Sequence, residues 1–237
     1  MKSVLYTISI ALIALALNSC SFNSVRGSGT LVSNEVSVPD FKGIDFGGGA
    51  TLIYEQKPGA PYLKIETDDN IYPLLRVEVK DGTLYIGSTE NISPTKFNIF
   101  TNSSTLEYLG VSGSIKATLK GKLETSFLDI YISGSGNITA EDLVCDRLRT
   151  KVSGSGDFLV TGKASSLDSH ISGSGKVMAT ELVTDTVSCS VSGSGDFFVT
   201  AQKYLNVSIS GSGSVKYKGN PQIDQSISGS GKISRME

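Results

Sequence analysis

The tetrapeptide Ser-Gly-Ser-Gly begins at Ser133, Ser153, Ser172, Ser192, Ser210 and Ser228, with a degenerate copy, Ser-Gly-Ser-Ile, at Ser112. Successive starts lie 21, 20, 19, 20, 18 and 18 residues apart. A period near twenty residues marks a unit that cannot bury its apolar side alone and must stack on copies of itself. The residue before each copy is Val111, Ile132, Val152, Ile171, Val191, Ile209 or Ile227, β-branched every time, as a buried strand position prefers. Five residues before stand Leu128, Leu148, Leu167, Val187, Leu205 and Ile223, with Glu107 the exception in the degenerate copy. Five after each full copy's first serine come Ile138, Phe158, Val177, Phe197, Val215 and Ile233, and two further on Ala140, Val160, Ala179, Val199 and Tyr217. Apolar residues therefore recur at period two on both sides of the glycines, which predicts two strands joined by a glycine corner in each repeat.

Consecutive circuits of this kind stack in register at about 4.8 Å, as parallel strands do, and make a β-solenoid. The chain's 26 glycines suit such corners, because glycine accepts positive φ and lets stacked backbones approach. The corner serines are expected to form hydrogen-bonded ladders from coil to coil. A calcium-binding glycine repeat is excluded by the position after the tetrapeptide: Asn137, Asp157, Lys176, Asp196, Ser214 and Lys232 put two lysines where carboxylates would be needed.

Upstream, residues 30–110 lack the tetrapeptide but alternate over 51–55, 62–67, 74–79 and 83–86. Asp81-Gly82 between two of these runs signals a two-residue hairpin. No long helical period appears, so the fold class is all-β: a β-solenoid over 111–237, preceded by a strand-rich part over 30–110. Whether that part continues the solenoid or caps it is open at this level.

The first residues carry an address. Lys2 precedes an apolar run over 4–17, about 14 residues against the ~20 that span a bilayer. The run ends in Leu17-Asn18-Ser19-Cys20, which resembles a bacterial lipobox. Residues 1–19 read as a signal peptide, Cys20 as the lipidated residue, and 20–29 as a short polar tether. The expected localisation is the cell envelope, as an outer-membrane lipoprotein whose surface or periplasmic face is left open. Membrane attachment then runs through the N-terminal lipid, since no second apolar stretch reaches spanning length. Cys145 and Cys189 fall at different phases of the repeat, about two coils apart, so a disulfide between them is not expected. Cys189 reads as a small buried hydrophobe.

Composition removes several functions. One histidine, no tryptophan, and a net charge of -2 from 21 basic and 23 acidic side chains leave no material for a histidine-based catalyst or a zinc site and no footprint for nucleic acid. No cofactor or metal is expected. If the position before each corner points inward, those two and four before it point outward. Stacking then gathers Tyr131, Lys151 and His170 beside Asp129, Arg149 and Asp168 on one outer face. That group is a candidate patch for a sugar or acid, or simply an alternating-charge ladder that keeps the face soluble. Six residues after the first serine, also outward, Leu159, Met178 and Phe198 form a candidate apolar stripe, either a partner surface or one covered by another part of the chain. A β-helix enzyme acting on polysaccharide would need clustered carboxylates across adjacent coils, and the Asp129, Arg149 and Asp168 group is the one local match.

Val38-Pro39-Asp40-Phe41-Lys42-Gly43-Ile44-Asp45, Glu66-Thr67-Asp68-Asp69-Asn70-Ile71-Tyr72-Pro73, Lys80-Asp81-Gly82-Thr83-Leu84, the repeated Ser-Gly-Ser-Gly and the closing Lys218-Gly219-Asn220-Pro221 together resemble the head GIN domain family of auto-transporter adhesins. The resemblance covers residues 27–237. It implies a β-helix-like fold in a bacterial envelope protein, of a kind frequent as lipoproteins of the Bacteroidetes type, and it brings no catalytic or binding residues. The function expected is a lipid-anchored, non-catalytic, adhesin-like module with a glycan or protein ligand. The alternatives are a periplasmic structural or sensing rod and the polysaccharide-active enzyme.

Overall fold

Period-two alternation becomes strand almost everywhere in the structure, a computed structural model that describes residues 24–237. Cys20 and the signal peptide lie outside the described residues. Ahead of the corner repeats come β1 (Val25–Arg26), β2 (Leu31–Ser37), β3 (Gly43–Gly48), β4 (Thr51–Gln56), β5 (Tyr62–Asp68), β6 (Leu75–Lys80), β7 (Thr83–Ser88), β8 (Ile92–Ser93), β9 (Asn98–Ser103) and β10 (Tyr108–Gly113). The repeats supply strands that bend around the coil: β11 (Lys116–Gly134), β12 (Asn137–Gly154), β13 (Asp157–Gly173), β14 (Lys176–Gly193) and β15 (Asp196–Gly211). The chain closes with β16 (Ser214–Lys218), β17 (Gln222–Gly229) and β18 (Lys232–Arg235).

The long strands pair in parallel, each with the next, and carry the tetrapeptides in register from Ser112 through Ser133, Ser153, Ser172, Ser192 and Ser210 to Ser228. The protein is an all-β solenoid, as its repeat predicts. At the second tetrapeptide position each glycine has positive φ, from 112° at Gly134 to 132° at Gly211, and a Cβ there would meet the previous coil's glycine carbonyl at 2.3 to 2.7 Å. The corner ladder runs through backbone amides, such as Ser174 N to Gly154 O at 2.9 Å and Ser194 N to Gly173 O at 2.8 Å. The expected serine ladder thus runs through backbone groups: the serine side chains are exposed at the corner while the serine N–H points along the rod. The position after the tetrapeptide adds a second ladder, in which Asp157 accepts from Lys176 N at 3.0 Å and Asp196 from Ser214 N at 3.1 Å.

Each coil also has a third short face that the repeat pattern did not reveal. It follows register shifts after Leu119, Ala140, Leu159 and Ala179, where the variation in repeat length is absorbed. Leu123, Leu143 and Leu182 point inward there, with Cys145 and Ala164 beside them.

Inside, bulk alternates from coil to coil. Coils with Phe158 and Phe197 carry Val152 and Val191 before the corner, whereas those with Ile138, Val177 and Val215 carry Ile132, Ile171 and Ile209, and all are at most 2% exposed. A large ring in one column is thus matched by a smaller neighbour in the next, which keeps the volume per layer nearly constant.

Residues 30–110 both continue the solenoid and close its end. Strand β3 lies parallel to β10, with Phe46 beside Val111, and β4 parallel to β11, with Leu52 beside Ala117. The chain then drops below this layer, where β7 pairs with β3 and β9 with β4, both parallel, before returning above it as β10. The antiparallel strands β6 on β7, β5 on β9 and β2 on β5 cover that end. Asp81 and Gly82 make the expected hairpin between β6 and β7, with φ of 50° and 74°.

Candidate functional site

The outward positions before the corner line one broad sheet face, and the register sets its chemistry. Asp129 lies opposite Arg149 and Arg149 opposite Asp168, while Tyr131, Lys151 and His170 form the adjoining column. The guanidinium of Arg149 reaches Asp129 at 3.4 Å and Asp168 at 4.0 Å, so the predicted charge ladder forms between the two carboxylates. Both pairs are exposed on at least one side, and such pairs contribute at most about 1 kcal/mol each.

The face continues onto residues the repeat pattern did not single out. Tyr108 lies opposite Asp129, Gly110 opposite Tyr131, Asp45 opposite Gly110, and Tyr85 opposite Asp45. The Tyr108 hydroxyl donates to Asp45 Oδ2 at 2.9 Å, and the rings of Tyr108 and Tyr131 sit 5.7 Å apart at 42°. Burial first, then the hydrogen bond and charge of Asp45, push the Tyr108 phenol up to about 12, so it remains a donor at any physiological pH. A side chain at residue 110 would prevent this arrangement, since a Cβ there would stand 2.3 Å from the Tyr108 hydroxyl and 2.7 Å from Asp45 Oδ2.

Asp45 divides two hollows. One, of about 160 Å³, is lined by Tyr108, Gly110, Ser112, Tyr131 and Ser133; the other, of about 310 Å³, by Arg76, Glu78, Tyr85 and Ser88. The strip from Tyr85 to His170 therefore offers aromatic faces beside carboxylates and fixed cations. This is chemistry for holding a polar ligand with apolar C–H faces.

Asp45 had a readable signal in the sequence. Gly47-Gly48 occupies the corner phase, with Phe46 one before, Leu52 five after and Tyr54 seven after, which matches the later repeats without their serines.

The apolar stripe also forms: Leu159, Met178 and Phe198 lie side by side on the outer surface, with Leu159 39% exposed. Lys216 extends its amine to 5.5 Å from the Phe198 ring. On the third face a shallow hollow of about 510 Å³ is lined by Glu124, Thr125, Asp146, Lys163 and Cys145. Burial pushes the Cys145 thiol up to about 12 and the Cys189 thiol up further, and both are free. Among the described residues no group of three or more His, Cys, Asp or Glu side chains is placed to hold a metal ion, and no helix is long and apolar enough to cross a membrane.

The fold is a parallel β-solenoid that presents an extended outer sheet bearing aromatic and charged side chains. The chain is a member of the family described as "Putative auto-transporter adhesin, head GIN domain", whose model matches residues 40–221. Among solved structures it is similar to a "putative adhesin" from Bacteroides fragilis, at 30% identity and a TM-score of 0.84 over 90% of this chain and 100% of that one. It is also similar to a "Putative lipid binding protein" from Parabacteroides distasonis, at 29% identity and a TM-score of 0.79 over 91% and 100% of the two chains. A "putative adhesin" from Parabacteroides merdae matches at 28% identity and a TM-score of 0.74, over 90% and 99%. No curated protein matches the chain.

Proposed function

We propose that this protein is a non-catalytic binding module of the bacterial envelope, lipidated at Cys20 and held at the outer membrane, that uses the outer sheet around Asp45 to bind a glycan. The observation that carries the reading is the Tyr108 hydroxyl locked on Asp45 beside the Tyr131 ring. A sugar rests its C–H face on a tyrosine and hydrogen-bonds its hydroxyls to a neighbouring carboxylate and guanidinium, which is the role of Asp45 and Arg149. The membership in an adhesin family and the adhesin-like structural neighbours support a surface role. The alternating Asp129, Arg149 and Asp168 ladder supports binding over hydrolysis, because each carboxylate already faces a cation.

The test is a glycan array probed with purified protein, beside Tyr131→Ala and Asp45→Asn. Binding to a defined glycan, lost in both variants while their melting temperatures hold, is the expected result; binding that survives both changes rejects the site. Protease shaving of intact cells, with Cys20→Ala and a periplasmic marker as controls, tests the location. Protection until the outer membrane is opened would turn the search to periplasmic partners.

A further inference from the structure

The two ends of the rod differ. The N-terminal end is closed by the antiparallel strands β2, β5 and β6. At the other end β17 pairs with β15 and β18 with β16, and among the described residues neither has a neighbour on its far side. Alternate N–H and C=O groups of β17 therefore face outward along the rod, ready to pair with another strand. The inward columns lie open at the same place: Ile223 and Ile227 are 38% and 39% exposed, while Leu205 and Ile209 directly above them are 1% exposed.

Edge strands in soluble proteins are usually blunted by lysine, proline or a bulge. Strand β17 reads Gln-Ile-Asp-Gln-Ser-Ile-Ser-Gly, with one charge, Asp224, and neither lysine nor proline, whereas the adjoining edge strand β18 carries Lys232 and Arg235. Its inward positions, Ile223, Gln225 and Ile227, read the same in both directions. A two-fold axis through Gln225 would pair β17 antiparallel with a second copy of itself. Ile223 then lies opposite the partner's Ile227, and Gln225 opposite the partner's Gln225, whose amides can hydrogen-bond to each other. On the outward side Asp224 lies opposite the partner's Ser226, so no like charges meet. Because side chains alternate at period two, a slip of one residue would set each isoleucine against an outward serine, aspartate or glutamine, and the register is specified.

We propose that the protein associates tip to tip with a second copy of itself through β17, as a two-fold dimer in which the two solenoid cores become continuous. The contact joins one strand and one open layer from each rod, so the dimer is concentration-dependent and gains most when rods are confined at high local density. Strand β1, the first of the described strands, sits on β8 in the N-terminal half, at the end away from β17. With the lipid anchor proposed above, tip-to-tip pairing joins rods that stand on two facing membranes.

The test uses the full chain with Cys20→Ser, which removes the lipidation thiol. Sedimentation velocity from ~10 to ~500 μM, the range expected of a contact of one strand per rod, should show the mass rising from one chain toward two. Ile227→Lys should remain a monomer throughout with its melting temperature unchanged. Gln225→Cys, on the proposed axis, should form a disulfide-linked dimer on mild oxidation, and Ser226→Cys, off the axis and facing outward, should not. A monomer at every concentration overturns the proposal, as does a dimer that Ile227→Lys leaves intact, or one abolished by Phe198→Ser, which would place the contact on the apolar stripe. Glycan binding by the monomeric variant would remain unaffected, so the two proposals fail independently.

Discussion

Thr150 and Ser169 sit three residues before their corners, where Ile130 and Val207 stand in other coils, and each is 1% exposed. Their hydroxyls are hydrogen-bonded to each other across adjacent coils, a polar pair inside an apolar column. Thr150→Val keeps the shape and removes one partner. It forfeits about 1 kcal/mol of net hydrogen bond and leaves the Ser169 hydroxyl unpaired at about 1–3 kcal/mol, against about 0.8 kcal/mol returned by the extra buried methyl. The net loss is about 1–3 kcal/mol, and Ser169→Ala should cost a similar amount by orphaning Thr150. With both replaced, no buried hydroxyl remains and the column is apolar throughout, so the double variant should lie close to wild type or above it. The cycle should therefore show a coupling of about 2 kcal/mol or more. In a chain of this size that is read as ~4–8 °C between the observed melting temperature of the double variant and the sum of the singles. A double variant whose loss equals that sum within ~0.5 kcal/mol would refute the reasoning, because the two hydroxyls would then be satisfied independently.

The other predictions concern the corners, the thiols and the N-terminal clamp. Gly193→Ala places a Cβ 2.6 Å from the Gly173 carbonyl at φ 127° and should cost about 3 kcal/mol or more in urea unfolding. Gly49→Ala, with nothing within 4 Å, should stay within about 0.5 kcal/mol of wild type. Iodoacetamide at pH 8 should leave Cys145 and Cys189 unmodified in the native protein and label both in denaturant, since burial raises both thiols. The Asp68 carboxylate has no exposed surface although it lies toward the edge of the fold. It accepts from Thr95 Oγ1 at 2.6 Å, Thr95 N at 2.8 Å and Gly29 N at 2.8 Å, and these bonds hold its pKa below the usual carboxylate value. A depressed folded-state pKa contributes stability above about pH 3.9, the unfolded value, that is lost as pH falls through the folded value. Acid titration of melting temperature should accordingly be steeper for wild type than for Asp68→Asn, and parallel curves would refute the assignment.

The solenoid was legible because its signal is repeated. One β-branched residue before a glycine corner means little, whereas seven at a common period fix inward and outward positions for whole strands, and hence the Asp129, Arg149 and Asp168 register. The third face is harder to read because Leu123, Leu143 and Leu182, each ten residues before the next tetrapeptide, share that position with Gly162, and because the length between the preceding corner and this column varies. Tyr85 has no such signal, for another reason. Strand β7 stacks beneath β3 although it follows it in sequence, and parallel pairing leaves no local mark of such an inversion. That the serine ladder uses the N–H and not the hydroxyl is not readable from composition, which reports the groups present at a corner, while the positive φ of the glycine decides which of them points along the rod.

The alternation of bulk between layers sets a quantum for the length of this protein. Each coil touches only the one before and the one after, so neither the closed end nor the tip depends on how many lie between. Removing one coil would bring two phenylalanine layers, or two layers without one, into direct contact and leave an overfilled or underfilled interior. Removing two would restore the original sequence of volumes. The reach of the rod should therefore be adjustable in steps of ~9.6 Å, twice the spacing of parallel strands, with the face around Asp45 and the tip moved apart or together as rigid bodies.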